Sequence, residues 1–238
     1  MHLASYGVRY GDNNIDTMIE VNVKLSAKIM DFCIKNGCKT FLYVGSCFQY
    51  GSQNCDFIDE NTFLNPEDLY AASKTACEVF LKTLAVKNNI QFITCRPFGV
   101  YGKYEPETRL LPLIYNHGIN NQPLDMSSGE QIRDYLYVRD VANGFYQIII
   151  NSNNFEMVDS VNICSAKPCS VREFAESVIK LKSFDSSLFH FGVLPYRKNE
   201  SMRFVGNNSK LKELTGWEQK YDLKDGILDF CEYINTGD

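Results

Sequence analysis

Tyr70, Lys74 and Ser46 are the side chains whose types and spacing could perform proton transfer at a carbon–oxygen bond. Tyr70 and Lys74 stand four residues apart in LYAASKTACEVF, so on a helix they would share one face. A free phenol has a pKa of about 10 and is a weak base at neutral pH, and a neighbouring ammonium would lower that pKa. Ser46 would orient the substrate oxygen by a hydrogen bond. Such a trio suits acid–base catalysis coupled to hydride transfer at a ketone or carbinol.

The Tyr-x-x-x-Lys spacing alone does not distinguish this pair from two ordinary helix residues. With 14 tyrosines in 238 residues, chance gives about one such pair, and the chain contains one. Its surroundings are more informative. The runs KTFLYVGS and IQFITCRPF flank the predicted helix Leu69–Lys87, and both are rich in the aromatic and β-branched residues typical of buried strands. Because ligands of α/β sheets bind at the carboxyl ends of parallel strands, Ser46 and the helix start are expected at one cleft.

Strand-like and helix-like segments alternate from Met1 to Cys164, which predicts a parallel α/β sheet with right-handed crossovers. Met1–Ser5 is predicted as a short opening strand, YLYV and SVNIC as later strands, and Ser170 with Glu173 as the capping box of a helix. Apolar spacing assigns inward faces to two helices, through Met18, Val21, Leu25, Ile29, Phe32 and Cys33 in one and Ala72, Ala76, Val79, Phe80 and Leu84 in the other.

Composition excludes several classes of function. The net charge is −5, and no basic run exceeds a dipeptide, so neither a nucleic-acid partner nor a polybasic membrane patch is expected. The apolar runs are too short to span a bilayer, and the first residues lack the features of a secretory signal. Nine cysteines without any Cys-x-x-Cys predict reduced thiols in the cytoplasm. The three histidines are scattered, so no metal site is expected.

Six motifs, in order, resemble the extended short-chain dehydrogenase/reductases, that is, the NAD-dependent epimerase/dehydratase family of nucleotide-sugar enzymes. The resemblance runs from Met1 to about Gly226, and Asn22 matches an asparagine of the family's following helix. The motifs are MHLAS, GSCFQYG, YAASK, RPFGVYG, GEQIRDYLYVRDVA and LPYRKNE with NNSKLKELTGW. The resemblance implies a partial doubly wound, Rossmann-like sheet at residues 1–100 plus 134–165. A smaller mixed substrate domain is implied at residues 101–133 plus 166–238.

The resemblance also implies roles for individual residues. Ser46, Tyr70 and Lys74 would be catalytic, and Ala4, Ser5, Tyr70, Lys74 and Pro97 would contact NAD(P)(H). The nucleotide-sugar substrate would be bound by Ser46, Arg133 and Arg197, because a guanidinium fork suits a diphosphate. For Arg133 an ordinary surface salt bridge with Asp134 or Asp140 is the alternative.

Two departures from the family pattern bear on the reaction. Gly99 replaces an asparagine, and Cys47-Phe48 stand where the 4,6-dehydratases carry an acidic pair, which disfavours dehydration. What remains is a 4-ketoreductase or a 4-epimerase. The C-terminal run from Phe189 to Trp217 resembles synthases that reduce CDP-linked 4-keto-dideoxyhexoses for O-antigen, which favours reduction of a nucleotide-linked 4-keto-deoxyhexose. A non-catalytic sugar-nucleotide-binding or scaffold protein is the alternative of another class.

Two further expectations concern assembly and completeness. In the resembled family, the helices matching Ile15–Asn36 and Leu69–Lys87 form a two-fold bundle, and both carry apolar residues beyond one stripe, so a homodimer is expected. These residues are Ile19, Val23, Ile34, Leu81 and Val86. No glycine-rich turn of dinucleotide spacing occurs. By resemblance the chain begins at the family's fourth strand, so we expect a truncated form that neither binds dinucleotide tightly nor turns over.

Overall fold

The structure is a computed structural model that describes residues 1–8, 11–197 and 200–236. Within those ranges, no helix combines the length and apolar character needed to cross a membrane. The helices are α1 (Ile15–Met18), α2 (Ser26–Lys35), α3 (Leu69–Lys87), α4 (Leu110–Ile119), α5 (Val138–Ile150), α6 (Val171–Lys182), α7 (Ser209–Thr215) and α8 (Leu223–Thr236). The strands are β1 (Thr40–Val44), β2 (Gln91–Pro97), β3 (Gly99–Tyr101), β4 (Leu124–Met126), β5 (Ile132–Tyr137), β6 (Val158–Ile163), β7 (Pro168–Ser170), β8 (Phe189–Phe191) and β9 (Arg203–Phe204).

The parallel α/β architecture predicted from the alternating pattern is confirmed. Strands β1, β2 and β6 form a parallel sheet in that order, with Val44 opposite Cys95 and Pro97 opposite Ile163. Helix α3 crosses over between β1 and β2. The carboxyl ends of β1 and β2 therefore lie side by side, as the site requires.

The opening strand predicted at Met1–Ser5 is wrong in extent. Only His2 pairs with the sheet, through a bridge to Tyr43 in which its N–H donates to the Leu42 carbonyl at 2.9 Å. The His2 ring is anchored on the Ser26 hydroxyl at 2.7 Å. From Leu3 the chain leaves the sheet, and at Gly7 it lies against Tyr70 in the first turn of α3.

A second group of strands lies after β2. Strand β5 pairs with β3 in parallel, with β7 antiparallel and with β9 in parallel, while β4 and β8 form a separate pair. Of the predicted strand YLYV, Tyr135 to Tyr137 lie in β5, outside the three-stranded sheet, and Val138 begins α5. Of SVNIC, Ser160 to Ile163 lie in β6, within that sheet, and Cys164 follows it. The division of the chain into a domain at 1–100 plus 134–165 and a second domain stays a prediction. The capping box at Ser170 and Glu173 is confirmed.

Helix α3 has the predicted bounds but buries a different face. Val79 and Phe80, expected inside, are 58% and 50% exposed, whereas Leu81, expected outside, is fully buried. The buried face carries Lys74 and Glu78 among small and apolar residues. The apolar pattern predicted the wrong face because two charged side chains, Lys74 and Glu78, occupy buried positions that the pattern assigns to hydrophobic residues.

In the helical stretch that precedes β1, the buried face also differs from the predicted one. A π-helical segment, Ile19–Leu25, joins α1 to α2, and the buried positions are Met18, Asn22, Ser26 and Met30. Phe32, expected inside, is 66% exposed. Of the residues expected at a dimer contact, Ile19 and Val86 are exposed, while Val23 and Ile34 pack against the core.

All nine cysteines lie in the described residues and are free thiols. Cys77 and Cys95 are fully buried, as expected of small hydrophobic residues, and Cys33 is partly buried.

Candidate active site

Helix α3 carries Tyr70 and Lys74 one turn apart at its N-terminal end. Asp68 caps the helix by accepting a hydrogen bond from the Ala71 N–H at 2.7 Å, which fixes where the first turn begins. Tyr70 is partly exposed, and Lys74 is 2% exposed. The two residues therefore lie on the helix face that meets the sheet, as their spacing predicts.

Ser46 is held by a reciprocal cap directly after β1. It is the N-cap of the 3₁₀ turn Cys47–Tyr50, and its Oγ accepts from the Phe48 N–H at 3.3 Å. The Ser46 N–H in turn donates to Gln49 Oε1 at 2.9 Å. A Cβ at Gly45 would lie 2.3 Å from that Gln49 oxygen, so the glycine leaves the space that the cap needs.

The segment after His2 covers Tyr70. Gly7 has a φ of +100°, and a Cβ there would lie 2.9 Å from Tyr70 Cδ2. Asn22 holds this segment in place, because its side chain bonds both the N–H and the carbonyl of Tyr6 at 2.8 Å and donates to Ser73 Oγ at 2.9 Å. The resemblance named Asn22 without a role, and its contacts give it one: it ties the opening segment to α3.

The phenol of Tyr70 lies beside two serine hydroxyls. Burial raises its pKa above the ordinary range, and the hydroxyls of Ser5 and Ser46 partly counteract that shift. The expectation that the pKa of Tyr70 lies below its ordinary value is wrong for this structure, because burial raises it and Lys74 is not among the groups that lower it. Tyr70 is therefore a neutral proton donor at neutral pH.

Lys74 is an almost fully buried ammonium without an ionic partner among the described residues. Its Nζ lies 4.5 Å from the centre of the Tyr43 ring, and the Tyr43 hydroxyl donates to the Lys74 backbone carbonyl at 3.3 Å. Burial lowers the pKa of Lys74 to about 8, an effect that Cys77 and Glu78 reduce. No described residue accepts a hydrogen bond from Nζ, so its donors are free for a ligand.

These unpaired groups fit the ribose of a nicotinamide cofactor. Ser5 Oγ is buried beside the Tyr70 phenol and has no partner of hydrogen-bond geometry among the described residues, and the Lys74 ammonium, one helical turn from Tyr70, keeps its donors free. Sugar hydroxyls can donate to the serine and accept from the ammonium. Ala4 is exposed and Pro97 is half-buried at the end of β2, and the contact of these two residues with a cofactor stays a prediction.

A buried polar network beneath Ser46 was missed by sequence reasoning. Gln49 Nε2 donates to Glu78 Oε2 at 2.7 Å, and the Arg96 guanidinium donates to Glu78 Oε1 at 2.6 Å and to the Tyr50 hydroxyl at 3.0 Å. The Tyr50 hydroxyl donates onward to Asn162 at 2.8 Å. The network links the Ser46 turn to α3, β2 and β6. The sequence contains a sign of this network, because Glu78 stands one helical turn beyond Lys74 and Arg96 interrupts an otherwise apolar strand.

Arg133 and Arg197 are both attached to Glu200. Arg133 forms an ion pair with the Glu200 carboxylate, and the Arg197 carbonyl accepts from the Glu200 N–H at 3.1 Å. The alternative partners of Arg133 are engaged elsewhere: Asp134 accepts from Ser165, and Asp140 accepts from backbone N–H groups. The Arg197 side chain is exposed. That both arginines bind substrate stays a prediction.

Gly99 is explained by a close approach of two strands. A Cβ at this position would lie 2.5 Å from the backbone oxygen of Asp134 in β5, which is nearer than real contacts allow. The asparagine that the family pattern places here would therefore require β3 and β5 to separate.

Comparisons with known proteins agree with this geometry. The family model described as "NAD dependent epimerase/dehydratase family" matches residues 1–164. A CDP-abequose synthase of Salmonella typhimurium is 28% identical over 237 residues, which cover 98% of this chain and 75% of that protein. A UDP-glucose 4-epimerase of Rhizobium meliloti is 24% identical over 231 residues, covering 90% of this chain and 67% of that protein.

Solved structures share the fold. MoeE5 in complex with UDP-glucuronic acid and NAD superposes with a TM-score of 0.88 at 20% identity, covering 99% of this chain and 78% of that one. RMD from Pseudomonas aeruginosa complexed with NADPH gives a TM-score of 0.84 at 21% identity, covering 97% and 79%. The family model covers well over half of the chain. The chain belongs to the NAD-dependent epimerase/dehydratase family, whose members are enzymes acting on nucleotide sugars.

Proposed function

We propose that this site reduces the 4-keto group of a nucleotide-linked 4-keto-deoxyhexose with NAD(P)H, in the synthesis of a surface polysaccharide such as O-antigen. The observation that carries the proposal is the neutral phenol of Tyr70 set beside the hydroxyls of Ser5 and Ser46, one turn from the unpaired ammonium of Lys74. A protonated phenol is what a ketone reduction needs, because the oxygen of the ketone must gain a proton.

Each residue of the site has a part in this reaction. Bound cofactor would supply a hydride to the carbonyl carbon, and Tyr70 donates its proton to the carbonyl oxygen. Ser46 donates a hydrogen bond to the same oxygen and so fixes its distance from the phenol. Lys74 donates to the cofactor's ribose hydroxyls. Arg133 would contact the substrate diphosphate. Its guanidinium would either leave Glu200 or bind the carboxylate and the diphosphate together.

The residues after Ser46 argue against dehydration. Burial raises the pKa of the Cys47 thiol to about 12, so it stays protonated at neutral pH, and Phe48 has no proton to transfer. The similarity to a CDP-abequose synthase supports a reductase over nearly the whole chain. A 4-epimerase is the second candidate, which the similarity to a UDP-glucose 4-epimerase favours.

A non-catalytic sugar-nucleotide-binding protein is the candidate of another class. We propose that the 238 residues alone bind dinucleotide weakly and do not turn over at micromolar NADPH, as expected from the sequence, because they contain no glycine-rich turn for the pyrophosphate. At millimolar reduced nicotinamide we propose a slow turnover, which departs from the expectation of a wholly inactive chain. The residues for the nicotinamide ribose are nevertheless present. Reduced nicotinamide mononucleotide, which lacks the adenosine half, should therefore serve this chain about as well as NADPH does.

The test is a spectrophotometric assay of reduced nicotinamide with CDP- and dTDP-4-keto-6-deoxyglucose. We expect ketosugar-dependent oxidation with millimolar reduced mononucleotide and about the same kcat/KM with NADPH, whereas a complete dinucleotide site would favour NADPH by roughly 10³-fold or more. The inactive variant Tyr70→Phe serves as the control. No oxidation with either donor, while nucleotide sugar still binds by calorimetry, would favour the non-catalytic candidate.

We also propose a homodimer and a cytoplasmic enzyme. Exposed apolar residues on α2 and α3, namely Phe32, Val79, Phe80 and Val86, support a contact of these helices with their symmetry mates. Nine free thiols suit a reducing compartment. A monomer at micromolar concentration by light scattering would contradict the dimer.

A further inference from the structure

Phe48 is an exposed aromatic side chain beside the proposed reaction centre. Its N–H donates to Ser46 Oγ at 3.3 Å, so its position is fixed by the same cap that orients the catalytic hydroxyl. Its neighbours in the turn, Cys47, Gln49 and Tyr50, are buried, whereas Phe48 is 52% exposed. A turn that buries three side chains and leaves the phenylalanine open presents an apolar surface next to Ser46.

The ring lies between the two ends that a substrate must reach. Its centroid is 5.9 Å from that of Phe204, and Phe204 is the register partner of Arg133 across β9 and β5. The ring centroid of Phe98 lies 5.7 Å from that of Phe204, and both of these rings are buried. A sugar whose oxygen meets Ser46 and whose diphosphate meets Arg133 therefore passes over this aromatic surface.

The chemistry of the surface defines what it can contact. Phe98 and Phe204 are buried and pack beneath Phe48, whose exposed ring offers neither a donor nor an acceptor, so a sugar hydroxyl placed against it would lose its hydrogen bond to water without replacement. A methyl or methylene would bury apolar surface there. Phe48 is two residues from Ser46, and the carbons next to the reacting C4 are C3 and C5, which bears C6.

We propose that Phe48 determines specificity by contacting C3 or C6 of the sugar where that carbon lacks its hydroxyl, so that the site prefers deoxyhexoses over fully hydroxylated hexoses. The inference rests on the proposed function, because it assumes that the sugar carbonyl meets Ser46 and Tyr70. A difference of one hydroxyl or methyl group at an apolar contact changes the affinity for the ligand by roughly 10-fold or more.

Calorimetric titration of the 238-residue chain with matched ligands tests the inference without requiring turnover. The ligands are UDP-glucose, UDP-6-deoxyglucose and UDP-3-deoxyglucose, with CDP and dTDP series alongside because the base is undetermined. We expect at least one deoxy ligand to bind about 10-fold more tightly than its parent, and the preferred ligand identifies C6 or C3 as the contact.

Two variants of Phe48 and one control separate the contact from general effects. Phe48→Asn should reduce the preference to about two-fold or less, and Phe48→Leu should keep most of it because the contact stays apolar. Phe63→Asn changes a phenylalanine that is 69% exposed in the loop before α3, and it should leave the preference intact. Binding of the plain nucleoside diphosphate reports that each variant is folded.

Three results would overturn the inference. Equal affinity of the wild type for deoxy and parent ligands, or an undiminished preference in Phe48→Asn, would refute the role of Phe48 while leaving the ketoreductase proposal standing. Failure of every nucleotide sugar to bind would instead overturn the proposed function and this inference with it.

Discussion

Lys74→Met should stabilise the fold while destroying the cofactor site. The ammonium is buried without an ionic partner, and burial lowers its pKa from 10.5 to about 8. In the unfolded chain the pKa returns to the ordinary value, so the folded state bears a penalty of about 3 kcal/mol near neutral pH. The substitution also removes the favourable contact of the ammonium with the Tyr43 ring, which is worth about 1 kcal/mol. The free energy of unfolding should therefore rise by about 2 kcal/mol in Lys74→Met.

The difference in stability between Lys74→Met and the wild type should depend on pH. Because the folded pKa is depressed, the unfolded state holds more protons between the two pKa values, and the wild type gains stability as pH rises through that window. The advantage of Lys74→Met should therefore shrink by about 2 kcal/mol between about pH 7 and about pH 9.5.

Urea unfolding of both proteins across this pH range measures the effect, with Lys82→Met as the control at an exposed position of the same helix. A gain of about 2 kcal/mol corresponds to a rise in Tm of roughly 4–8 °C for a chain of this size. A variant less stable than the wild type at neutral pH, or a gain independent of pH, would refute the picture of Lys74 as an unpaired buried ammonium.

Three further predictions follow from the site and the surface. Tyr70→Phe removes the transferable proton and should lower kcat by roughly 10²–10⁴-fold with little change in substrate affinity, and an unaltered kcat would remove Tyr70 from the mechanism. Glu78→Ala leaves Arg96 buried and unpaired, so urea unfolding should show a loss of about 3–5 kcal/mol, and a loss below about 1 kcal/mol would contradict the network. Phe80→Asp should yield monomers in light scattering, whereas Ile150→Asp on α5, equally exposed, should not; dimers in both would place the contact elsewhere.

The sequence was sufficient for the order of the main elements and for the placement of the trio. Helix α3 has the predicted bounds because Asp68 caps it and Asn88 ends it, both of which are local signals. Ser46 and Tyr70 meet because parallel strands put their carboxyl ends on one edge, which follows from topology alone.

The helix faces could not be predicted in the same way. Periodicity assigns apolar residues to the interior, but α3 buries Lys74 and Glu78 for contacts made by residues distant in sequence, such as Gln49 and Arg96. Val79 and Phe80 are displaced to the surface as a result. The pKa of Tyr70 likewise depends on burial by the opening segment, which no spacing in the sequence reveals.

Tracing deuterium tests the central claim most directly. Reduced nicotinamide mononucleotide deuterated at its hydride position is mixed at millimolar concentration with the 238-residue chain and CDP- or dTDP-4-keto-6-deoxyglucose, and the sugar is analysed by mass spectrometry and NMR. Hydride transfer at this site predicts a sugar alcohol that carries deuterium at C4, formed by the wild type and not by Tyr70→Phe. Product without deuterium, deuterium at another carbon, or equal labelling by the Tyr70→Phe variant would contradict reduction at this site.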